Sequence, residues 1–253
     1  MSKGPPRFKS TSFSRASDYE RCPLFAKFRH IDKIPDPAPD LPEGKEHPKD
    51  RGIRIHELAE NYVNNPLLRM PEELLNHEAR FKEARELKQR GAAHTEIGLG
   101  FDKDWRQAAT DDFDNCVYRL YADLVIHPNA DSIMIVDYKT GKKEGNEIAH
   151  HQQLMEYAVG FATAFPHLEM FYPQIWYLDL HPGENVMKKT FTRDQVMRAS
   201  KRVRERHQTV LDARIFPATP SQRACYFCPY KAGTVGRGAR AYPGTGHCRR
   251  NVN

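Results

Sequence analysis

Hydrophobic and polar positions along this chain repeat with two periods, helical at first and then strand-like. "STSFSRASDYERCPLFAKFRHI" offers Ser and Thr as N-caps and a ragged apolar stripe of Tyr19, Leu24, Phe25 and Phe28, which predicts one helix. "IPDPAPDLPEGKEHPKD" carries five prolines and predicts a surface loop. "DRGIRIHELAENYVNN" predicts a second helix, with Asp50 as its cap. Pro71 opens a third through "PEELLNHEARFKEARELKQRG", which ends at Gly91. The period then becomes two. In "HTEIGLGFD", Thr95, Ile97, Leu99 and Phe101 share one face and Glu96 lies on the other. In "CVYRLYADLVIH", Cys116, Tyr118, Leu120, Ala122, Leu124 and Ile126 form an apolar face, and Arg119, Tyr121, Asp123 and His127 the polar one. "HPNAD" is a turn and "SIMIVDYK" runs back from it, so these segments predict an antiparallel meander. "EIAHHQQLMEYAVGFATAF" predicts a helix, and "MFYPQIWYLDL" and "NVMKKTFT" two further strands. Thr192 and Gln195 make a capping box for a basic helix to about residue 214.

At 253 residues, 39 % hydrophobic and 28 % charged, the chain has the composition of a globular protein. No apolar run approaches the ~20 residues of a membrane helix, so no membrane is expected. The N-terminus has no apolar signal-peptide core, so a cytoplasmic protein of a bacterial or phage-infected cell is expected. A net charge of +6 is compatible with a polyanionic partner but does not require one. Five cysteines, an odd number in a reducing compartment, argue against disulfides.

Asp137 and Lys139 raise a chemical question. Positions i and i+2 of a strand face the same way, so an acid and a base leave the core together at the strand end. An exposed pair of this kind contributes little stability. A metal ligand beside a cation that holds a water is a reason to place them there. Asp123 lies across the turn, near the same sheet end if the hairpin is regular. His56 and Glu60, and Gln153 and Tyr157, each stand at i and i+4 on a helix face.

"GIRIHELAE", "YADLVIHPNADSIMIVDYKTGKK" and "QLMEY", in that order, resemble the RecB-type branch of the PD-(D/E)XK nuclease superfamily. That branch includes phage exonucleases and CRISPR-adaptation nucleases. The resemblance implies an α/β fold with a restriction-endonuclease-like core, a central mixed sheet flanked by helices. N-terminal helices over 1–92 precede a core over 93–215, and a cysteine-rich iron–sulfur tail covers 216–253. It implies Asp123 and Asp137 as ligands of Mg²⁺ or Mn²⁺, with His56 as a further ligand and Lys139 as the catalytic cation. It also implies that Gln153 and Tyr157 line the site and touch the scissile strand. Glu96 is a candidate extra ligand or a solvated strand residue, and Glu60 is read as structural.

Cys225 and Cys228 in "ACYFCPY" have the spacing of one metal centre. The RecB-type nucleases that carry a cubane cluster have one cysteine before the core and three after it. Cys22, Cys225, Cys228 and Cys248 follow that order, which implies an iron–sulfur cluster. The last spacing departs from the family, with nineteen residues between Cys228 and Cys248. Zinc is the alternative, with His247 or His207 as replacement ligands. Cys116 reads as a core residue. Arg193, Arg198, Lys201, Arg202, Arg204 and Arg206 on the basic helix form either a phosphate track or a solvated face, and Lys231, Arg237 and Arg240 are clamp candidates.

The function expected is a metal-dependent DNA exonuclease in recombination, repair or phage DNA processing. The alternatives are a CRISPR-adaptation-type nuclease that trims DNA for integration and a catalytically idle DNA-end binder. No helicase motor is present, so processivity would come from an oligomeric ring, a clamp, or a helicase, single-strand-binding or annealing partner.

Overall fold

The computed structural model describes residues 5–36, 46–236 and 242–248. Helix α1, Phe13–Arg21, is capped by the Ser12 hydroxyl. The single helix predicted here breaks at Cys22, which is extended at φ −168° and ψ 114°. Pro23 is the cause, because its ring crowds out the helical conformation of the residue before it. Pro23 then opens α2, Pro23–Ala26, and a wide π turn follows over Lys27–Ile31. Residues 37–45 of the proline-rich loop lie outside the described residues.

Helix α3, Pro48–Asn64, is capped by His47 and not by Asp50. Pro48 sets φ for the first turn, so the cap falls one residue before it, and His47 Nδ1 accepts from the Lys49 N–H at 3.2 Å. A 3₁₀ turn, Glu72–His77, leads into α4, Glu78–Gln89, which the chain leaves through Gly91 at φ 75°. Then follow β1 (Ala93–Phe101), β2 (Gln107–Ala108), β3 (Tyr118–Asn129), β4 (Ser132–Lys139), α5 (Glu147–Ala164) and β5 (Met170–Tyr177). The strand predicted over 185–192 is two short ones, β6 (Val186–Lys188) and β7 (Phe191–Thr192). Next come α6 (Arg193–Asp212), α7 (Gln222–Tyr226), β8 (Thr234–Val235) and β9 (Tyr242–Pro243). The capping box of α6 forms in both directions. The Thr192 N–H reaches Gln195 Oε1 at 2.9 Å, and the Gln195 N–H reaches Thr192 Oγ1 at 3.4 Å. Among the described residues no helix is long and apolar enough to cross a membrane.

Contacts divide the chain into two compact units, residues 46–203 and residues 1–45 with 204–253. The first holds a mixed sheet in the order β2-β1-β3-β4-β5-β6, with β7 also on β5. Pairing is antiparallel except for β4 with β5, which α5 connects as a crossover. One sheet face packs against α5 and the start of α6 through Tyr157, Phe161, Val196 and Val203. The other packs against α3 and α4 through Ile55, Ala59, Phe81 and Ala84.

Two irregularities in this sheet were not predicted. Tyr118, Leu120 and Ala122 of β3 join the α5-side core, but Leu124 and Ile126, of the same parity, join the opposite one. The single apolar face expected for β3 therefore reverses at Asp123. Opposite Asp123, Glu96 has the left-handed φ of 53° and drops out of the ladder between Thr95↔Leu124 and Ile97↔Ala122. The hairpin is also not regular. Its register shifts by one residue between Ile126↔Met134 and Asn129↔Ser132. Without that shift Leu124 would stand opposite Asp137, and an apolar side chain would share the carboxylate's face.

The second unit has two apolar clusters. Phe8, Ala16, Ala26, Val210 and Phe216 form one, and Phe25, Cys228 and Tyr230 form the other, with Cys22 and Cys248 packed against it.

Candidate active site

The strands that carry the two acids part at the end of their ladder. The β3–β4 pairing reaches Leu124↔Val136 and goes no further, so the next backbone N–H of β4 facing β3 needs another acceptor. Asp123 Oδ2 takes the Tyr138 N–H at 2.5 Å. Asp123 Oδ1 meets His56 Nδ1, from α3, at 3.1 Å. Burial pushes the Asp123 carboxyl up, the His56 contact opposes this, and the Asp137 charge adds to the rise. Burial lowers His56, but the hydrogen bond and charge of Asp123 outweigh it, so the imidazole titrates above its ordinary value.

Asp137 is 6 % exposed, so its charge needs compensation within the protein. Three side chains supply it. Lys139 Nζ stands 2.6 Å from Oδ2. From α5, the Tyr157 hydroxyl reaches Oδ1 at 2.6 Å and Gln153 Nε2 reaches it at 3.0 Å. The Tyr157 hydroxyl also lies 2.8 Å from the Tyr121 carbonyl, but it has one proton, and the charged acceptor is the stronger. Burial first, and then the charges of Asp137 and Asp123, raise the Tyr157 pKa well above the ordinary tyrosine value, so the phenol remains a donor. Oδ2 is different. The ammonium is close, yet it meets no hydrogen-bond geometry there, and Oδ2 is left buried without a hydrogen bond.

His56, Glu57, Glu60, Glu96 and Asp123 line one open cavity of about 430 Å³, with Lys49, Gly52 and Ile53. The Glu96 carboxyl is pushed up by burial, then by Asp123 and Glu60. Among the described residues no group of three or more His, Cys, Asp or Glu side chains is arranged to hold a metal ion as the side chains stand, which applies to Cys22, Cys225, Cys228 and Cys248 as well as to this site, where Asp123 and Asp137 each bond protein partners. The donor set nevertheless suits a hard divalent cation: one buried oxygen without a hydrogen bond, a second carboxylate raised by burial and like charge, and an imidazole.

The structure thus brings His56, Asp123, Asp137, Lys139, Gln153 and Tyr157 together, and Glu96 lines the cavity that His56 and Asp123 also line. Glu60 lines that cavity too. Its i+4 spacing from His56 was the available signal, but helical spacing alone does not separate a packing carboxylate from one in a cleft. The Tyr138 backbone donor had no sequence signal.

The basic helix departs from a free phosphate track. Arg193 donates to the carbonyls of Ala162, Phe165 and Leu168. Arg198 pairs with Asp194 within its own helix. Arg206 binds both oxygens of Glu20 at 2.7 Å and lies over the Phe13 ring. Arg237 and Arg240 of the expected clamp lie outside the described residues.

The cysteines gather in the second unit. Cys22, Cys225, Cys228 and Cys248 all line one cavity of about 20 Å³, walled by Leu24, Phe25, Phe28 and Tyr230. The long spacing before Cys248 is taken up by pairing of β8 with β9, after which the Cys248 N–H reaches the Tyr230 carbonyl at 2.6 Å. Gly244 makes this return possible, since a Cβ there would stand 2.2 Å from the Lys231 carbonyl oxygen. Burial raises the Cys228 thiol. Neither histidine of the zinc alternative lines the cavity: His207 Nδ1 meets Thr11 Oγ1 at 3.1 Å, and His247 Nδ1 meets Thr245 Oγ1 at 2.7 Å.

Residues 10–232 match the PD-(D/E)XK nuclease superfamily. Among solved structures, an alkaline exonuclease from Laribacter hongkongensis is similar at 10 % identity, covering 81 % of this chain and 89 % of that one, with a TM-score of 0.38. Its complex with dAMP is similar at 12 % identity over the same shares, with a TM-score of 0.37. The structure of SSO0001 is similar at 14 % identity over 90 % of this chain and 84 % of that one, with a TM-score of 0.35. No curated protein matches the sequence.

Proposed function

The chain belongs to the PD-(D/E)XK nuclease superfamily, and from that premise we propose that it is a divalent-metal-dependent deoxyribonuclease of the RecB-type branch, hydrolysing phosphodiester bonds from a DNA end. One observation carries the catalytic part. A buried carboxylate, Asp137, keeps one oxygen free of hydrogen bonds beside the Lys139 ammonium, and Asp123 arrives from the neighbouring strand. A bound Mg²⁺ or Mn²⁺ would supply charge stabilisation at the phosphate and an acidified water. Asp137 Oδ2, Asp123 and His56 are the groups that would hold it, with Glu96 as a further oxygen donor. Gln153 and Tyr157 hold Asp137 Oδ1, which keeps Oδ2 turned toward the site. Lys139 orients the attacking water and offsets negative charge that grows on the phosphate. The requirement for an end rests on resemblance to RecB-type exonucleases.

The same reading assigns Cys22, Cys225, Cys228 and Cys248 as thiolate ligands of an iron–sulfur cluster. Its support is the convergence of the four on one cavity, without His207 or His247. Cys22 is extended at the junction of α1 and α2, while its N–H still bonds the Asp18 carbonyl at 3.0 Å.

The test incubates end-labelled linear and closed circular DNA with Mg²⁺, Mn²⁺ or EDTA, and resolves products by length. Progressive shortening of the linear substrate only, with either cation and not with EDTA, is expected. Asp137→Ala and Lys139→Ala should lower the rate by at least about a hundredfold while DNA binding persists. Rapid linearisation of the circle would refute the end requirement. Cleavage in EDTA, or near-normal cleavage by either variant, would refute the mechanism.

A further inference from the structure

Helix α5 presents polar side chains at 150, 153 and 157, the spacing of one helix face. Gln153 and Tyr157 spend theirs on Asp137. His150 reaches a different partner: its Nδ1 lies 2.7 Å from the Tyr177 hydroxyl oxygen. Tyr177 stands on β5 directly in register with Lys139 of β4. Laterally paired strand positions send their side chains to the same face, so Lys139 and Tyr177 both face α5, where Leu154 packs on Tyr177. As the crossover between two parallel strands, α5 runs antiparallel to β4. Its N-terminal end, with His150, therefore lies toward the C-terminal end of β4, beyond Asp137 and beside Lys139.

The imidazole tautomer follows from its partner. Tyr177 is fully buried, and burial first, then the charges of Glu147 and Asp137, push its pKa up to about 12. Its single proton has two acceptors in reach, His150 Nδ1 at 2.7 Å and Met187 Sδ at 4.0 Å. The imidazole nitrogen is much the stronger, so the proton goes there and Nε2 carries the ring's own N–H. His150 is half-buried, and its start of α5 has no side-chain cap. A half-buried histidine with its N–H on Nε2, the Lys139 ammonium paired with Asp137, and uncapped helical N–H groups on one side of a strand end suit anionic oxygens, with the Glu147 carboxylate of the same first turn as the opposing charge.

We propose that His150 contacts the substrate of the nuclease reaction: its Nε2–H donates to a non-bridging phosphate oxygen of the DNA strand beside the scissile phosphodiester, while Tyr177 holds the imidazole in that tautomer. The assignment rests on the nuclease reading above. Its test is steady-state cleavage of an end-labelled linear oligonucleotide in Mn²⁺ by wild type, His150→Ala, His150→Gln and Tyr177→Phe, each with a melting curve. His150→Ala should raise KM about ten- to hundredfold, the usual loss of a hydrogen bond to a charged group, with kcat little changed. His150→Gln keeps an N–H donor and should recover most of that loss. Tyr177→Phe frees the tautomer and should raise KM about threefold. Wild type that cleaves nothing would sink the nuclease reading itself. Active wild type with an unchanged KM in His150→Ala, or a fall in kcat alone, would overturn the phosphate contact. Should His150→Ala fail to fold, Tyr177→Phe decides, and an unchanged KM there overturns the proposal.

Discussion

At the scale of single residues, what a side chain can do here depends on which of its atoms are already engaged. Asp137 shows this in the site, with one oxygen bonded from α5 and the other buried in ion-pair contact with Lys139. His77 shows it in the core. The ring is 1 % exposed, lies parallel to Trp176 at 5.6 Å, and its Nε2 meets the Tyr177 carbonyl oxygen at 3.1 Å. A carbonyl accepts, so Nε2 must carry the N–H, and a further proton would have to sit on Nδ1, which faces Arg80 at 3.5 Å. Burial first, and then the Arg80 charge, hold the His77 pKa below its ordinary value, although the Tyr177 carbonyl opposes them. The unfolded chain therefore takes up this proton first as pH falls. Stability from the neutral ring is complete above about pH 6.5 and is lost as pH drops toward the lowered pKa. Melting curves between pH 8 and 5 should show Tm falling on acidification, and more gently in His77→Gln, which keeps a donor for Tyr177 but cannot titrate. An equal slope in both would remove His77 as a source of acid sensitivity.

At the scale of elements, packing overrides local preference in α5. Gly160 sits inside this helix, where alanine would gain about 1 kcal/mol of helix propensity. A Cβ there would stand 2.1 Å from Leu120 Cδ2 of β3, so with any larger residue either Leu120 or the helix would have to shift. Gly160→Ala should destabilise by about 1–3 kcal/mol despite its better propensity. Urea denaturation would check this, and a stabilised variant would mean that Leu120 can move aside at little cost. The consequence reaches the site, since Gln153 and Tyr157 ride on the same helix. The register shift in the β3–β4 hairpin is the strand counterpart, a local irregularity that keeps an apolar residue off the face of Asp137.

At the scale of the whole molecule, charge is divided unevenly. Residues 1–45 and 204–253 hold eighteen Lys and Arg against eight Asp and Glu, whereas residues 46–203 hold twenty-one against twenty-five. The unit with the carboxylate site is thus net acidic, and the excess basic charge belongs to the unit with the cysteines. A cluster in that unit would join Cys22 to a tail some two hundred residues later, so ligation would be part of its folding free energy. Protein prepared without oxygen should be brown and contain iron and sulfide. Cys22→Ser should lose the iron and melt at lower temperature. Zinc without iron in anaerobic protein would overturn the cluster, and full iron in Cys248→Ser would exclude that residue as a ligand.

The sequence by itself determined the type of most elements and the pairing of Asp137 with Lys139 on one strand face, because strand and helix periods are local and recur within a few residues. It also carried the capping box of α6 and the spacings of His56 with Glu60 and Gln153 with Tyr157. The break at Cys22 follows from the adjacent Pro23, whereas only the tertiary structure decided the reversal of β3 at Asp123. It also decided that Gln153 and Tyr157 bond Asp137, that Arg193 and Arg206 are taken by protein partners, and that Cys248 returns beside Tyr230. These tertiary outcomes depend on which groups meet across tens to hundreds of residues. A left-handed residue such as Glu96 or a one-residue register shift leaves every local period intact, yet it changes which side chains share a face.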